Sequence, residues 1–283
     1  MLPIVVVPIF GASDVLDACL ASLLRTLPQD ARVLLCDDAS PQPEIAPMLH
    51  AFARQAAFEV HIERRAVNLG FIGNVNRAFA RTAGSDVVLL NSDTIATPGW
   101  LQALVACAET DPRVATATPW SNNAEICSFP DFCRAGPVPD DADAIARAAA
   151  DEDAPAYPDL PTGVGFCMYV RRAALDRVGD FDAATFGRGY GEENDFCLRV
   201  AAHGWRNVLC DTAYVVHRGG ASFGSEGHRP GGENLARLTA RYPEYNRLVA
   251  EFILRDPLKP LRDRLAARID AQRPQSAQRD LFA

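Results

Sequence analysis

The sequence is almost without lysine and has no excess of positive charge. Lys259 is the single lysine among 28 basic residues, and 36 acidic residues give a formal net charge of −8 over 283 residues. Proteins that bind nucleic acids usually present a basic surface. The composition therefore argues against a nucleic-acid-binding protein.

Long apolar runs are also missing. No stretch of 18 apolar residues occurs, so we expect no membrane-spanning helix. The chain opens on a strand-like run at residues 2–7 without a basic segment before it, which is not the pattern of a signal peptide. With 48% hydrophobic residues, the chain is expected to fold into one large or two small globular domains.

Paired cysteines and several common motifs are absent as well. The eight cysteines form no C-x-x-C pair, and the closest two, Cys127 and Cys133, do not have zinc-site spacing. Several lie within apolar runs, so we expect free core thiols and a cytoplasmic protein. The lack of H-E-x-x-H, P-loop and G-x-G-x-x-G motifs excludes zincins, Walker NTPases and simple dinucleotide binders.

Short apolar runs alternate with helical patterns in the first part of the chain. This order predicts an α/β fold with a Rossmann-type, mostly parallel sheet and helices on both faces. Ser13 is expected to be the N-cap of the first helix. A mixed region is expected from residue 162 and a helical region from about residue 230. Strands are predicted at residues 2–7, 33–36, 58–62, 87–90 and 114–118, and helices near 44–54, 100–108 and 142–150.

Asn91, Ser92 and Asp93 follow a run, residues 87–90, that has the character of a buried strand. In open α/β sheets, ligands bind at the carboxyl ends of the strands. Aspartate is a hard oxygen ligand that suits magnesium or manganese. The alternative is an Asx-turn that simply closes the strand.

Five separated motifs, taken in this order, resemble the family 2 glycosyltransferases with their GT-A fold. The closest similarity is to bacterial members that act on cell-surface glycans, and it covers about residues 2–220. The motifs are residues 5–8 (Val-Val-Val-Pro), 37–40 (Asp-Asp-Ala-Ser), 68–71 (Asn-Leu-Gly-Phe), 91–93 (Asn-Ser-Asp) and 191–199 (Gly-Glu-Glu-Asn-Asp-Phe-Cys-Leu-Arg).

The resemblance implies a site for a nucleotide-sugar donor. Pro8, Asp37 and Asp38 would form the pocket for the base, with a carboxylate accepting from the N–H of uracil or thymine. A plain turn is the alternative for the two aspartates. Asn68 and Gly70 would lie near the ribose and pyrophosphate, where glycine permits close backbone approach. Asn91 and Ser92 complete the predicted donor-binding set.

The resemblance also implies a divalent cofactor, Mn²⁺ or Mg²⁺. Asp93 matches the last aspartate of the family's D-x-D motif, whose first position is Asn91 here. His217 follows a strand-like run and would join the metal or touch the diphosphate; a polar histidine at a strand end is the alternative.

Glu193 occupies the position of the family's catalytic base, which is normally an aspartate. Glu192 and Asp195 are predicted on the acceptor side. The alternative is that all three acids decorate a helix N-terminus, where the helix dipole favours negative charge.

Gly163 matches the segment that lines the acceptor side. Trp120 would stack on a sugar or lie in the core. Arg218 and Arg229 would meet phosphate or lie on the solvated surface, and His228 has a weaker claim to a role.

These features predict an inverting glycosyltransferase that moves a sugar from UDP or dTDP to a hydroxyl of a glycan, a lipid-linked molecule or a protein, in cell-surface polysaccharide synthesis. A nucleotidyltransferase and a non-catalytic binding module are the alternatives. We expect a catalytic domain at residues 1–229, with a nucleotide-binding half (1–118) and an acceptor half (119–229), and a helical extension at 230–283.

The sequence predicts a helix at residues 257–273 that packs on its own domain or on a partner; a helix in peripheral contact with the inner face of the membrane is the alternative.

Overall fold

The computed structural model describes residues 1–219 and 232–272. Its strands are β1 (Ile4–Ile9), β2 (Arg32–Asp37), β3 (Glu59–Arg64), β4 (Val87–Leu90), β5 (Thr94–Ile95), β6 (Val114–Trp120), β7 (Cys167–Val170), β8 (Arg206–Tyr214) and β9 (Val216–His217). Its helices are α1 (Ser13–Thr26), α2 (Ile45–Gln55), α3 (Gly70–Arg81), α4 (Trp100–Glu109), α5 (Ala142–Ala150), α6 (Arg172–Val178), α7 (Ala183–Phe186), α8 (Glu192–Ala202), α9 (Gly232–Arg241), α10 (Tyr245–Arg255) and α11 (Lys259–Gln272), with a 3₁₀ turn at Glu125–Cys127.

The main sheet has the strand order β3-β2-β1-β4-β7-β6-β8. Strands β1 to β4 run parallel, β7 is antiparallel to both of its neighbours, and β6 and β8 are parallel to each other. This confirms the predicted α/β architecture, with a mostly parallel first half and a mixed second half. The predicted boundary at residues 229 and 230 lies outside the described residues.

Strand β1 extends two residues beyond its predicted end at residue 7, although it contains Pro8. A proline lacks the N–H that a ladder between two neighbouring strands requires. Strand β4 pairs only with Ile4 to Val6 of β1, so Pro8 lies past that ladder and is paired with β2 alone. The carboxyl end of β1 is therefore open on one side, where a ligand can approach.

The first helix begins where predicted, but Ser13 is not its N-cap. The preceding residue, Ala12, has φ 55°, and no side chain caps the helix. The Ser13 hydroxyl instead donates to Glu44 Oε1 at 3.0 Å, which ties α1 to the start of α2. A bond across to another helix thus replaces the expected local cap.

Side chains of β1 alternate between two hydrophobic cores, as they must in a strand buried on both faces. Val5 and Val7 belong to the larger core on one face of the sheet, and Val6 belongs to the core on the other face. All eight cysteines are free, and only Cys133 is exposed. The thiols therefore serve mainly as small core residues.

Helix α11 packs on α5 and on the larger core. Leu258 and Leu265 are fully buried, and Arg268 donates to the carbonyl oxygen of Ala148 at 2.7 Å. The apolar face of this helix is therefore covered by its own chain, as expected from the sequence; residue 273 lies outside the described residues. Among the described helices, none has the length and hydropathy needed to cross a bilayer.

Candidate active site

A cleft with a volume of about 520 Å³ opens at the carboxyl ends of β1, β2 and β4. Parallel strands bring their carboxyl ends to one edge of the sheet, so motifs far apart in sequence meet there. The predicted site residues that line the cleft are Pro8, Asp38, Asn68, Gly70, Asn91, Ser92, Asp93, Gly163, Glu192, Glu193 and His217. Asp37, Trp120 and Asp195 do not line it.

Asp38 joins the end of β2 to the loop before α3. Its side chain is buried, and its Oδ1 accepts from the N–H of Leu69 at 2.8 Å. Burial raises the pKa of Asp38, against the hydrogen bonds from Leu69 and Gly70 and the charge of Arg188. The carboxyl group is thus fixed in the cleft wall, where it can accept a hydrogen bond from a ligand.

Asn68 and Gly70 meet a second loop, which carries Arg188. Asn68 Oδ1 accepts from the N–H of Gly70 at 2.9 Å and from Arg188 at 2.5 Å. Gly70 has φ 75°, and a Cβ added there would lie 3.3 Å from the Arg188 backbone. The positive φ angle and the nearby Arg188 backbone both explain why a glycine occupies position 70.

Arg188 is a cleft residue that the sequence reasoning missed. It is the one arginine or lysine among the described residues lining the cleft, which also contains five carboxylates. Arg188 lies between Gly187 and Gly189 in the sequence. A loop rich in glycine can approach a ligand closely, so these neighbours could have marked Arg188 as a candidate binding residue.

Asp37 is a structural residue, which corrects its assignment to the base pocket. Its Oδ1 accepts from the Ser40 N–H at 2.9 Å, and its Oδ2 lies 3.2 Å from Arg64 Nε. The side chain is fully buried and faces away from the cleft lining. Adjacent residues of an extended chain point to opposite sides, so only one aspartate of the pair reaches the cleft.

Asp93 and His217 are brought together by the short antiparallel pair β5–β9. Thr94 is paired with His217 in this ladder, which places the Asp93 carboxylate 3.4 Å from the imidazole Nε2. The ring also stacks on Phe166, with 5.1 Å between centroids. Burial lowers the pKa of His217, but the Asp93 carboxylate outweighs this effect and the net pKa is raised.

The chemistry of this pair fits a divalent cation. His217 Nδ1 lies 2.6 Å from the carbonyl oxygen of Asn123, so Nδ1 carries the proton in the neutral ring and the Nε2 lone pair faces Asp93. Asp93 Oδ1 is buried and has no hydrogen-bond partner. Two electron-pair donors that face each other in this way are suited to share a cation.

Within the described residues, no cluster of three or more His, Cys, Asp or Glu side chains could hold a metal ion. The protein would therefore supply two ligands from Asp93 and His217. Magnesium sites commonly combine one or two carboxylates with substrate phosphates and water.

Glu192 and Glu193 lie in the first turn of α8 and form a coupled acid pair. Burial raises the pKa of Glu192 strongly, and the neighbouring Glu193 raises it further. Burial also raises the pKa of Glu193, whereas backbone N–H groups and the hydrogen bond with Glu192 lower it. Both carboxyl groups therefore have a raised pKa, and each, when ionised, is a stronger base than an exposed glutamate.

Asp195 is not on the acceptor side, which corrects its predicted role. It is fully buried and accepts hydrogen bonds from Arg199, Arg241 and Tyr242. Successive helical residues point in different directions, so Asp195 faces the C-terminal helices whereas Glu193 faces the cleft.

Trp120 is a core residue rather than a sugar platform. Its side chain is 1% exposed and lies 6.4 Å from the Phe129 ring, measured between centroids. The alternative given by the sequence, a core tryptophan, is the observed one.

The sequence reasoning also missed the far wall of the cleft, formed by Glu125, Tyr190, Leu235 and Tyr245. Burial raises the pKa of Glu125, and the charge of Glu193 adds to this effect. No motif marks these residues, because they reach the cleft through loops and C-terminal helices. Arg218 does not line the cleft, and His228 and Arg229 lie outside the described residues.

The cleft thus brings two glutamates of α8 and a carboxylate–imidazole pair to the carboxyl ends of parallel strands, where open α/β sheets bind their ligands. The family described as Glycosyl transferase family 2 matches residues 4–179, and the chain belongs to that family. The protein is thus a nucleotide-sugar glycosyltransferase, which decides against the nucleotidyltransferase and binding-module alternatives.

The curated relatives include N-acetylglucosaminyl-diphospho-decaprenol L-rhamnosyltransferase of Mycobacterium tuberculosis. It is 27% identical over 256 residues, which cover 80% of this chain and 78% of the relative.

The solved structures confirm the predicted GT-A fold. GalNAc-T7 with UDP, GalNAc and Mn²⁺ has a TM-score of 0.60 and 16% identity over 93% of this chain, which spans 54% of GalNAc-T7, about half its length. The fragment 1–349 of S. aureus TarS with UDP-GlcNAc has a TM-score of 0.57 and 16% identity, over 95% of this chain and 71% of that fragment. The mannosyltransferase PcManGT of Pyrobaculum calidifontis with GDP-Man and Mn²⁺ has a TM-score of 0.56 and 15% identity, over 97% of this chain and 77% of PcManGT.

Proposed function

We propose that the protein is an inverting, metal-dependent transferase that moves a sugar from UDP or dTDP to a hydroxyl group of a lipid-linked glycan precursor. The observation that carries this proposal is the convergence of Asp38, the Asp93–His217 pair and Glu193 on one cleft. The M. tuberculosis relative is named for a diphospho-decaprenol acceptor, which supports a lipid-linked acceptor.

The donor end binds the nucleotide. Asp38 accepts a hydrogen bond from the N–H of uracil or thymine. Asn68 and Arg188 face the ribose and diphosphate, where the guanidinium offsets part of the negative charge. This positive group matters because Asp38, Asp93, Glu125, Glu192 and Glu193 also line the cleft. A diphosphate could not enter such an acidic cleft without cations beside it.

Asp93 and His217 would hold a divalent cation at the middle of the cleft. When bound, such a cation neutralises the negative charge that develops on a leaving diphosphate. The protein's own contribution is to orient both ligands through the β5–β9 ladder and the Asn123 carbonyl.

Glu193 acts as the general base. It takes the proton of an acceptor hydroxyl, whose oxygen forms a bond to the anomeric carbon while the bond to the diphosphate oxygen breaks on the opposite face. The nucleoside diphosphate leaves with the bonding electrons, and Glu193 then releases its proton to solvent. Burial raises its pKa, which makes it a stronger base than an exposed glutamate.

A panel of UDP-, dTDP- and GDP-linked sugars, assayed with and without Mn²⁺ and a lipid-linked GlcNAc diphosphate acceptor, tests this proposal. We expect turnover with one UDP or dTDP sugar, inversion at the anomeric carbon by NMR, and loss of activity with chelator. Retained anomeric configuration would contradict the role of Glu193 as a base. Full activity in chelator would contradict the role of Asp93 and His217.

A further inference from the structure

Asp195 connects helix α8, which carries the proposed base, to the end of helix α9, and both helices lie beyond the family match at residues 4–179. Its Oδ1 accepts from Arg241 at 2.7 Å and from the Tyr242 hydroxyl at 2.9 Å, and its Oδ2 accepts from Arg199 at 2.8 Å. Charge-assisted hydrogen bonds of this length are among the strongest in proteins. A fully buried carboxylate two residues after Glu193 is thus held by the end of α9.

Arg241 bridges this carboxylate to the segment that precedes the catalytic turn. Its second terminal nitrogen donates to Asp182 at 2.8 Å and to Thr185 Oγ1 at 2.7 Å. The guanidinium also lies over the Phe186 ring, 5.7 Å from its centroid. One side chain therefore fixes α7 and α8 relative to each other.

Helix α9 also holds the loop between α7 and α8. Asn234 Nδ2 donates to the carbonyl oxygens of Phe186 at 2.8 Å and of Gly189 at 2.7 Å. This loop contains four successive or near-successive positive φ angles, at Gly187, Gly189, Tyr190 and Gly191. Glycines adopt such angles readily, whereas Tyr190, with φ 69°, keeps its conformation only because its surroundings hold it there.

The same helix reaches the cleft itself. Leu235 and Leu238 of α9 and Tyr245 of α10 line the cleft beside the Glu192–Glu193 pair. Helix α9 therefore contacts the site on one side and anchors the base-bearing helix on the other.

We propose that Arg241 and Tyr242 are positioning residues, which hold Glu193 in its working orientation through Asp195. This inference rests on the proposed role of Glu193 as the base. Neither residue touches substrate; both act by fixing the first turn of α8. A displacement of about 1 Å in a catalytic group can cost on the order of 100-fold in rate.

The test compares Arg241→Met with Arg247→Met. Arg247 is a matched control, because it also pairs with two carboxylates, Glu244 and Glu251, but on the exposed surface of α10. Tyr242→Phe removes only the hydroxyl bond to Asp195 and preserves the ring, so it stays informative if Arg241→Met is poorly folded. Arg241→Lys restores the charge without the forked geometry.

Three readouts separate positioning from a general loss of structure. We expect Arg241→Met to lower kcat by about 10–100-fold, with an unchanged affinity for UDP in calorimetry. Hydrogen exchange should speed up in residues 187–195 and not in β1 to β4. The acid limb of the kcat–pH profile should move to lower pH, because a loosened helix admits water and reduces the burial that raises the pKa of Glu193. Tyr242→Phe should show the same pattern with a change of a few-fold, Arg241→Lys should recover part of kcat, and Arg247→Met should match the wild type.

Two results together would overturn the proposal: faster hydrogen exchange in every strand of Arg241→Met, and no movement of the acid limb of the kcat–pH profile in Tyr242→Phe. The hydrogen bonds of Asp195 would then serve the stability of the whole fold. Unchanged exchange in residues 187–195 for both variants would overturn the proposal as well. Because hydrogen exchange needs no turnover, the anchoring of this loop is tested even if the wild-type protein transfers no sugar, and an inactive wild type would count against the proposed function instead.

Discussion

The two ends of the cleft are built in different ways. At the donor end, Pro8, Asp38 and Asp93 come at or directly after the ends of neighbouring parallel strands, and their places are fixed by the sheet. At the acceptor end, side chains arrive from a 3₁₀ turn, a loop rich in positive φ angles and the C-terminal helices, and they are joined by side-chain hydrogen bonds. In the proposed function, nucleotide binding falls to the residues placed by the sheet, and chemistry to segments that the sheet does not position.

This division implies that substitutions at the two ends affect different quantities. Changes at the donor end should weaken nucleotide binding, whereas changes at the acceptor end should slow transfer at unchanged nucleotide affinity.

The largest effect is expected from Glu193→Gln. The substitution keeps the volume of the side chain and removes its basicity, so the transfer rate should fall by about 10²–10⁴-fold. Kinetics with a saturating donor, together with UDP calorimetry, check this expectation. Glu192→Gln is the control and should retain most activity, because burial favours the neutral form of Glu192 and a glutamine side chain is neutral as well. Equal losses in both variants would contradict the assignment of the base.

The next effect is expected from Asp93→Asn. A neutral amide oxygen is a poorer ligand for a hard cation, so the UDP affinity measured in Mn²⁺ should fall by about 10–100-fold. Calorimetry in chelator provides the control, since the variant and the wild type should then bind UDP equally. A loss that persists in chelator would mean that Asp93 contacts the nucleotide directly.

An effect of similar or smaller size is expected from Asp38→Ala. Loss of one hydrogen bond to a charged group is worth about 1.5–3 kcal/mol, which corresponds to about 10–100-fold in UDP and dTDP affinity at most. Asp37→Ala is the matched control: it should lower the melting temperature, because Asp37 holds Ser40 and Arg64, and leave the affinity of the folded protein unchanged. Unchanged affinity in Asp38→Ala would remove Asp38 from the base pocket.

The smallest effect concerns stability and its dependence on pH. The pKa of Glu193 is raised in the folded protein, so the folded state binds more protons than the unfolded state between the two pKa values, and stability is lost as pH rises through that window. Glu193→Gln should therefore raise the melting temperature at pH 8, by about 2–4 °C for each kcal/mol recovered, with little change at pH 4. Scanning calorimetry at both pH values measures the melting temperature. Asp195→Asn should instead lower the melting temperature, because Asp195 is paired with two arginines.

The sequence was informative where local rules decide the position of a side chain. A charged residue at the end of an apolar strand has to lie at the sheet edge, which is why Asp38 and Asp93 could be placed. The motif at residues 191–195 located Glu193 by resemblance, since helix periodicity alone would have favoured any of its three acids. The partner of Asp93 was predictable only through the family, because the β5–β9 pairing joins segments far apart in the chain.

The remaining residues depend on tertiary contacts that no local pattern records. Asp195 belongs to the same motif as Glu193, yet its direction is set by Arg241 and Tyr242 from a distant helix. Trp120 is the last residue of β6, at the end of a strand as a cleft residue would be, but Phe129 and the core cover it. Arg188 and Tyr245 approach the cleft only after the loop and α10 have docked.

A single cysteine side chain is exposed, so the protein can be labelled with a spectroscopic probe at one site. Seven cysteines are buried in the fold, whereas Cys133 is open to solvent and its backbone N–H donates to the carbonyl oxygen of Glu125 at 3.1 Å, in the far wall of the cleft. A maleimide dye should therefore attach at one position without any engineered cysteine. Its fluorescence would report on movements of that wall when an acceptor arrives, in the unaltered protein.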